Sequence, residues 1–184
     1  GKSTYLLNEI RIIESKGQEV LVICHGSDTR YGIGLNTHNG DSYTNVIVGY
    51  SFQELFEKHR LKLFTFKNIV IDELQFFSDA YEYIVSLVDN FKTNVIAGGL
   101  SGDFERKPMG DIEKLASFAD YRINLYSNCK ICNEIAPFSR RICNSTEVIL
   151  PGGSDKYIPT CRNCYLEKTH VILAKLGLNE ELVA

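Results

Sequence analysis

Apolar residues recur at helical spacing near the start of the chain, where Leu6, Leu7, Ile10 and Ile13 mark one face. A helix is expected over residues 4–16, with Gly17 as its stop. The run Glu19-Val-Leu-Val-Ile-Cys24 is continuously apolar after its first residue, as suits a strand covered on both faces of a parallel sheet. Residues 25–45 are rich in Gly, Asn, Ser and Thr and read as a loop. Ser51 with Glu54 forms a capping-box pattern, opening a helix to about His59. Asn68-Ile-Val-Ile-Asp72 predicts a second buried strand, residues 79–91 a helix, and Asn94-Val-Ile-Ala97 a third strand running into Gly98-Gly99. A helix over 111–119 and a fourth strand from Arg122 to Tyr126 complete the series. Strands alternating with helices predict an α/β fold with a mostly parallel sheet flanked by helices.

Near Asn128 the pattern changes. From there to about Leu166 the chain is marked by Cys, Gly and Pro, with one strand-like stretch from Thr146 to Leu150. The expected organisation is an α/β nucleotide-binding domain over 1–127, a small metal-binding domain over 128–168, and a tail over 169–184 that has helical character. No internal repeat or low-complexity segment interrupts it.

Composition narrows the function classes. The chain has 184 residues and a formal net charge of −3, with 44% hydrophobic residues. That supports a packed core and argues against an electrostatic nucleic-acid binder, which carries a basic face. No apolar run reaches membrane-spanning length, so no membrane partner is expected. Five of the six cysteines crowd the last third, two sets of them at C-x-x-C spacing. This spacing points to a metal and a reducing compartment, hence the cytoplasm, rather than a secreted disulfide framework.

Five motifs are candidates for chemistry. Gly1-Lys2-Ser3-Thr4 matches the second half of a phosphate-binding loop, G-x-x-x-x-G-K-[ST], in which the Lys reaches the β/γ-phosphates and the hydroxyl serves Mg²⁺. A chain that truly began at Gly1 would lack the front of that cradle, and a tetrapeptide alone also arises by chance. Ile69-Val-Ile-Asp72-Glu73 is an apolar strand ending in acid, as in enzymes whose Asp supports Mg²⁺; Glu73 could then act as general base. A solvated acidic turn is the plainer reading of the same residues. Cys129-x-x-Cys132 and Cys161-x-x-Cys164 are paired knuckles whose four thiolates suit tetrahedral Zn²⁺ in a closed structural site. Cys143 lies between the pairs as a spare, and Cys24 reads as a core residue. Asp28-Thr-Arg30-Tyr follows the first strand, where α/β sheets bind ligands, so Arg30 is either a phosphate contact or a solvated loop cation. Residues 100–107, with Phe104 and two cations, line a pocket or form a surface loop.

Taken in order, these parts resemble the type II thymidine kinases, the zinc-containing cellular and poxviral kind. The resemblance runs from Gly1 to about Leu166. It rests on Gly-Lys-Ser-Thr, Asp28-Thr-Arg30-Tyr31, Thr37-His38, Asp72-Glu73-x-Gln75-Phe76-Phe77, Gly99-Leu100 through Phe104, Arg106-Lys107, Gly152-Gly153-x-Asp155-Lys156-Tyr157 and the two Cys pairs. It implies a P-loop NTPase-like (RecA-like) core with a small zinc-ribbon-like lasso. It also implies ATP-dependent transfer of a γ-phosphoryl group to the 5′-hydroxyl of thymidine, with deoxyuridine as a second acceptor. Glu73 matches the family's base, and Lys2 and Arg30 its phosphate contacts. Gly1, Lys2, Ser3, Thr4, Asp72 and Gln75 match its ATP and Mg²⁺ positions. Asp28, Phe76, Leu100, Phe104 and Met109 fall at nucleoside-binding positions. Ser139, Leu150, Gly152 and Tyr157 fall in the loop that the family lays over the nucleoside, tethered by zinc. The family is usually a homotetramer inhibited by thymidine triphosphate. Ser139 stands where threonine is common, Met109 where an aromatic is common, and Asp103 where a small polar residue often precedes the Phe.

Two other classes share some of these features. A P-loop ATPase or motor would use Glu73 to activate water, but no second motor domain follows. A non-enzymatic zinc-ribbon module would use its knuckles to bind nucleic acid or protein, which the acidic balance disfavours.

Overall fold

The computed structural model describes residues 1–27, 34–37, 40–145, 147, 150, 152–153, 155–167 and 169–177. The chain forms two compact units. One comprises Gly1–Ser101 with Met109–Ile123, the other Gly102–Pro108 with the chain from Asn124 onward.

The larger unit is built on four parallel strands: β1 (Leu21–His25), β4 (Val46–Gly49), β5 (Asn68–Ile71) and β6 (Asn94–Ala97), in the spatial order β4-β1-β5-β6. Alternate residues of β1 and β5 serve opposite faces of this sheet. Leu21, Ile23, Ile69 and Ile71 join one core with α2 (Phe52–Thr65), α3 (Ala80–Asp89) and α4 (Ile112–Phe118). Val22, Cys24 and Val70 join a second core with Leu6, Leu7, Ile10 and Ile13 of α1 (Lys2–Ser15). Both faces are therefore covered, which is why the strands read as unbroken apolar runs. Chain order reverses direction in the sheet between β1 and β5, the place where such sheets open a crevice for ligands.

The start of α2 is fastened by side chains. The Ser51 hydroxyl accepts the Glu54 N–H, and Glu54 in turn accepts the Tyr50 N–H, a variant of the expected capping box. The Asp79 carboxylate accepts the first two N–H groups of α2, those of Phe52 and Gln53, where the helix dipole favours an anion.

Several expectations are corrected. The loop over 25–45 contains a short hairpin of β2 (Leu35–Asn36) and β3 (Ser42–Tyr43). The edge strand β4 was not expected. The helix expected to stop near His59 continues to Thr65, past a kink at His59 with φ −128° and ψ 22°. Arg122–Tyr126 is not a strand: it pairs with nothing in a sheet and all five residues are exposed. The strand-like stretch Thr146–Leu150 falls largely outside the described residues.

The smaller unit holds two antiparallel ladders. β7 (Ser127–Asn128) pairs with β8 (Ile135–Ala136), and β9 (Phe138–Arg141) with β10 (Tyr157–Thr160). α5 (Arg162–Leu166) carries Cys164, and α6 (Thr169–Leu176) buries Ile172 completely beside Cys129, Ala136, Ile142, Ile158 and Cys164. Among the described residues no helix is long and apolar enough to cross a membrane.

Candidate active site and metal centre

The carboxyl end of β5 and the first turn of α1 meet. The Asp72 N–H donates to the Ile23 carbonyl of β1, so the acid sits beside the switch point. Ser3 Oγ donates to Asp72 Oδ2 at 3.1 Å, and Lys2 Nζ lies 3.1 Å from Glu73 Oε1 and 3.5 Å from Asp72 Oδ1. Both acids are buried. Burial pushes the Asp72 carboxyl above the usual range and Glu73's charge adds to this, while Lys2, the Glu73 N–H and Ser3 act the other way. An acid held in this way gains from a cation placed beside it. The oxygen donors Asp72 and Ser3 are the hard type that Mg²⁺ takes.

Glu73 adopts the left-handed conformation, φ 54° and ψ 40°, a strained choice for a residue with a side chain. In that turn its N–H is taken by Asp72 Oδ1. The consecutive acids share Lys2 but differ in their other donors, Ser3 on Asp72 and Gln75 on Glu73. Gln75 lies beneath: its Nε2 donates to Glu73 Oε2 at 2.5 Å and its Oε1 accepts the Leu100 N–H at 3.0 Å.

His25, which the sequence reading passed over, ends β1 under the same crevice. Its ring is packed by Phe76, Phe77 and Tyr50, with centroids 5.4, 4.6 and 5.7 Å away. Nδ1 accepts the Ser27 N–H, so the neutral ring carries its proton on Nε2 and donates to the Tyr50 carbonyl. Burial lowers its pKa despite that carbonyl and the charges of Glu73 and Glu54. The unfolded chain therefore takes the proton first as pH falls below about 6.5, and stability should drop below that point and hold above it. Thermal unfolding between pH 8 and 5 should show this drop, and His25→Gln should flatten it.

Asp28, Arg30, Tyr31 and His38 lie outside the described residues. Gly1 starts α1 without a side-chain cap, and Thr4 is half-buried in its first turn. The expected nucleoside contacts fall in both units. Half-buried Phe76 and Met109 and exposed Leu100 belong to the larger one. Phe104, Ser139, Leu150, Gly152 and Tyr157 belong to the smaller. There Asp103 Oδ1 accepts the N–H groups of Glu105 and Lys107, building the turn that presents Phe104. Buried Arg141 stacks 3.7 Å from the Phe104 ring centroid and donates to the Ser145 carbonyl and the Tyr157 hydroxyl; Tyr157 donates onward to the Leu150 carbonyl. This hub had no signal in the sequence beyond two adjacent arginines on a short strand.

The four expected cysteines converge, with all Sγ atoms within 4.8 Å of one another. Cys132 Sγ lies 3.6 Å from Cys161 Sγ and 3.7 Å from Cys164 Sγ. A tetrahedral ion with Zn–S bonds of about 2.3 Å needs sulfurs about 3.8 Å apart. Burial opposes ionisation of Cys129, but backbone N–H groups of Cys161, Cys132 and Ile131 outweigh it and bring the thiol down to about 6. The cluster is consistent with structural zinc. Arg140 clamps one knuckle by donating to the carbonyls of Cys164 and Tyr165. Half-buried Cys143 is not part of the cluster.

The family model described as thymidine kinase matches residues 1–165. The chain belongs to the thymidine kinase family. It is 36% identical to the thymidine kinase of Yaba monkey tumor virus (strain VR587), over 91% of this chain and 89% of that protein. Thymidine kinase 1 of Dictyostelium discoideum is 34% identical over 90% of this chain and 72% of its own length. The thymidine kinase of vaccinia virus (strain Western Reserve) is 32% identical over 91% of both. This membership makes the chain an enzyme, a nucleotide-binding transferase, and gives the buried acids at the β5 end a chemical context.

Proposed function

We propose that the chain transfers the γ-phosphoryl group of ATP to the 5′-hydroxyl of thymidine, with deoxyuridine as a second acceptor. The observation that carries this reading is the junction of Lys2 and Ser3 with Asp72 and Glu73, in a chain that matches the thymidine kinase model over residues 1–165. The N-terminus of α1, with Gly1 to Thr4, receives the ATP phosphates through backbone N–H groups, the helix dipole and the Lys2 ammonium. Bound Mg²⁺ would be held by Ser3 and Asp72 and would supply neutralisation of phosphate charge. Glu73 takes the proton of the 5′-hydroxyl as that oxygen bonds to the γ-phosphorus and ADP leaves with the electrons of the broken P–O bond. Arg30 neutralises charge on the transferring group.

Phe76, Leu100, Phe104 and Met109 line the thymine pocket, Asp28 contributes from the loop after β1, and Ser139, Leu150, Gly152 and Tyr157 belong to the covering loop. Zinc on Cys129, Cys132, Cys161 and Cys164 tethers that loop and takes no part in the chemistry. A homotetramer, inhibition by thymidine triphosphate and a cytoplasmic location belong to the same reading. ADP release screened against a nucleoside panel tests it. Thymidine and Mg²⁺ should both be required. ATP turnover without nucleoside, rising with added DNA, would instead mark a motor.

A further inference from the structure

We infer that Gln75 is a positioning residue that aims the Glu73 carboxylate at the acceptor hydroxyl, rather than a contact to ATP. The inference rests on the base assignment proposed for Glu73. Gln75 is buried, and both ends of its amide are engaged within the chain. The orientation of that amide is fixed by chemistry. The Leu100 N–H can only donate, so the atom 3.0 Å from it is the oxygen; the NH₂ group then faces Glu73, which as a carboxylate only accepts.

The backbone closes around this bridge. A Cβ on Gly99 would lie 2.9 Å from Gln75 Oε1, and one on Gly110 would lie 2.5 Å from the Gln75 carbonyl oxygen. The Leu74 N–H also donates to the Gly98 carbonyl, so the turn bearing Gln75 is fastened to the end of β6. The amide is thus a fixed strut between Leu100, in the segment after β6, and a carboxylate that sits on a strained residue.

Lys2 donates to Glu73 Oε1 and Gln75 donates to Oε2. Lys2 has a second task, the ATP phosphates, and an ammonium on a flexible stem can move to them. Gln75 has no such task. With Oε2 held by the amide, Oε1, whose Lys2 donor can move to the phosphates, is the oxygen assigned to the acceptor's proton. A carboxylate released from this strut would still be a base, but misaimed, and misplacement on the order of 1 Å costs about 10²-fold in rate.

Gln75→Leu, Gln75→Glu, Glu73→Gln and the double variant Glu73→Gln/Gln75→Leu test the inference, with thermal unfolding as the check on folding. Gln75→Leu should lower kcat about 10- to 100-fold, with KM for thymidine and ATP each within about threefold. Gln75→Glu keeps an acceptor for the Leu100 N–H but puts a second carboxylate against Glu73, so its kcat should fall at least as far. A purely structural Gln75 predicts the opposite order, with Gln75→Glu near wild type, and that order would overturn the inference. A residue acting only through Glu73 adds nothing once Glu73 is Gln, so the double variant should match Glu73→Gln within about twofold. A further tenfold loss in the double variant, or a tenfold rise in KM for ATP with kcat unchanged in Gln75→Leu, would also overturn it. Full activity in Glu73→Gln would instead remove the base assignment itself, an outcome distinct from failure of the Gln75 variants alone.

Discussion

Replacing Glu73 by Gln should lower kcat by about 10³-fold while KM for ATP stays within about threefold. The substitution is nearly isosteric, and Lys2 keeps Asp72 as a partner at 3.5 Å. A Gln side chain can also accept the Gln75 amide through its own oxygen, so the local packing survives. What disappears is the site for the proton. Loss of kcat with unchanged ATP binding is the signature of an interaction made in the transition state alone. Steady-state kinetics with thymidine and ATP varied separately would check it. A variant with wild-type kcat would show that the acceptor hydroxyl loses its proton elsewhere, and the roles of Lys2, Asp72 and Gln75 would need to be assigned again.

The sequence carried the central part of this architecture and lost its edges, for physical reasons. β1 and β5 lie in the middle of the sheet, and β6, an edge strand like β4, still carries the apolar run Val95-Ile96-Ala97, so all three could be read directly. β4 is an edge strand of four residues entered from a polar, Gly-rich stretch, and the loop reading absorbed that approach. The reverse error arose at Arg122–Tyr126. Ile123 and Leu125 alternate with polar residues as in a half-buried strand, but alternation does not supply a partner, and both side chains are exposed. In the site, Asp72 and Glu73 were legible because an acid at the end of a buried strand is conspicuous. The left-handed turn at Glu73, the Gln75 strut and the neutral His25 were not. They depend on contacts such as that between Gln75 and Leu100, 25 residues apart, which no local pattern encodes.

Removing the metal, or replacing Cys161 by Ser, should open the smaller unit and raise KM for thymidine at least about tenfold, a loss of about 1.4 kcal/mol in apparent affinity. Among the described residues, the unit has a small apolar core. Its buried apolar cluster is Cys129, Ala136, Ile142, Ile158, Cys164 and Ile172, and two of the six are themselves metal-ligand candidates. Its ladders pair two residues with two and four with four, and such isolated hairpins are marginal in water. By contrast, structural zinc contributes about 10–16 kcal/mol to the folding of small metal-bound peptides at neutral pH. Without it, four clustered thiols remain, and burial pushes that of Cys164 well above its ordinary value. The loop between β9 and β10 would then lose the frame that holds Arg141 against Phe104 and Tyr157. The larger unit keeps both of its own cores, so ATP affinity should change by less than about threefold, within the spread expected for an independently folded site. Chelator titration followed by limited proteolysis should cut first beyond Asn124, with thymidine KM rising in step with zinc released. Metal-free enzyme that resists proteolysis there and keeps its thymidine KM would show that the thiols alone sustain the fold, and that the covering loop does not depend on the metal.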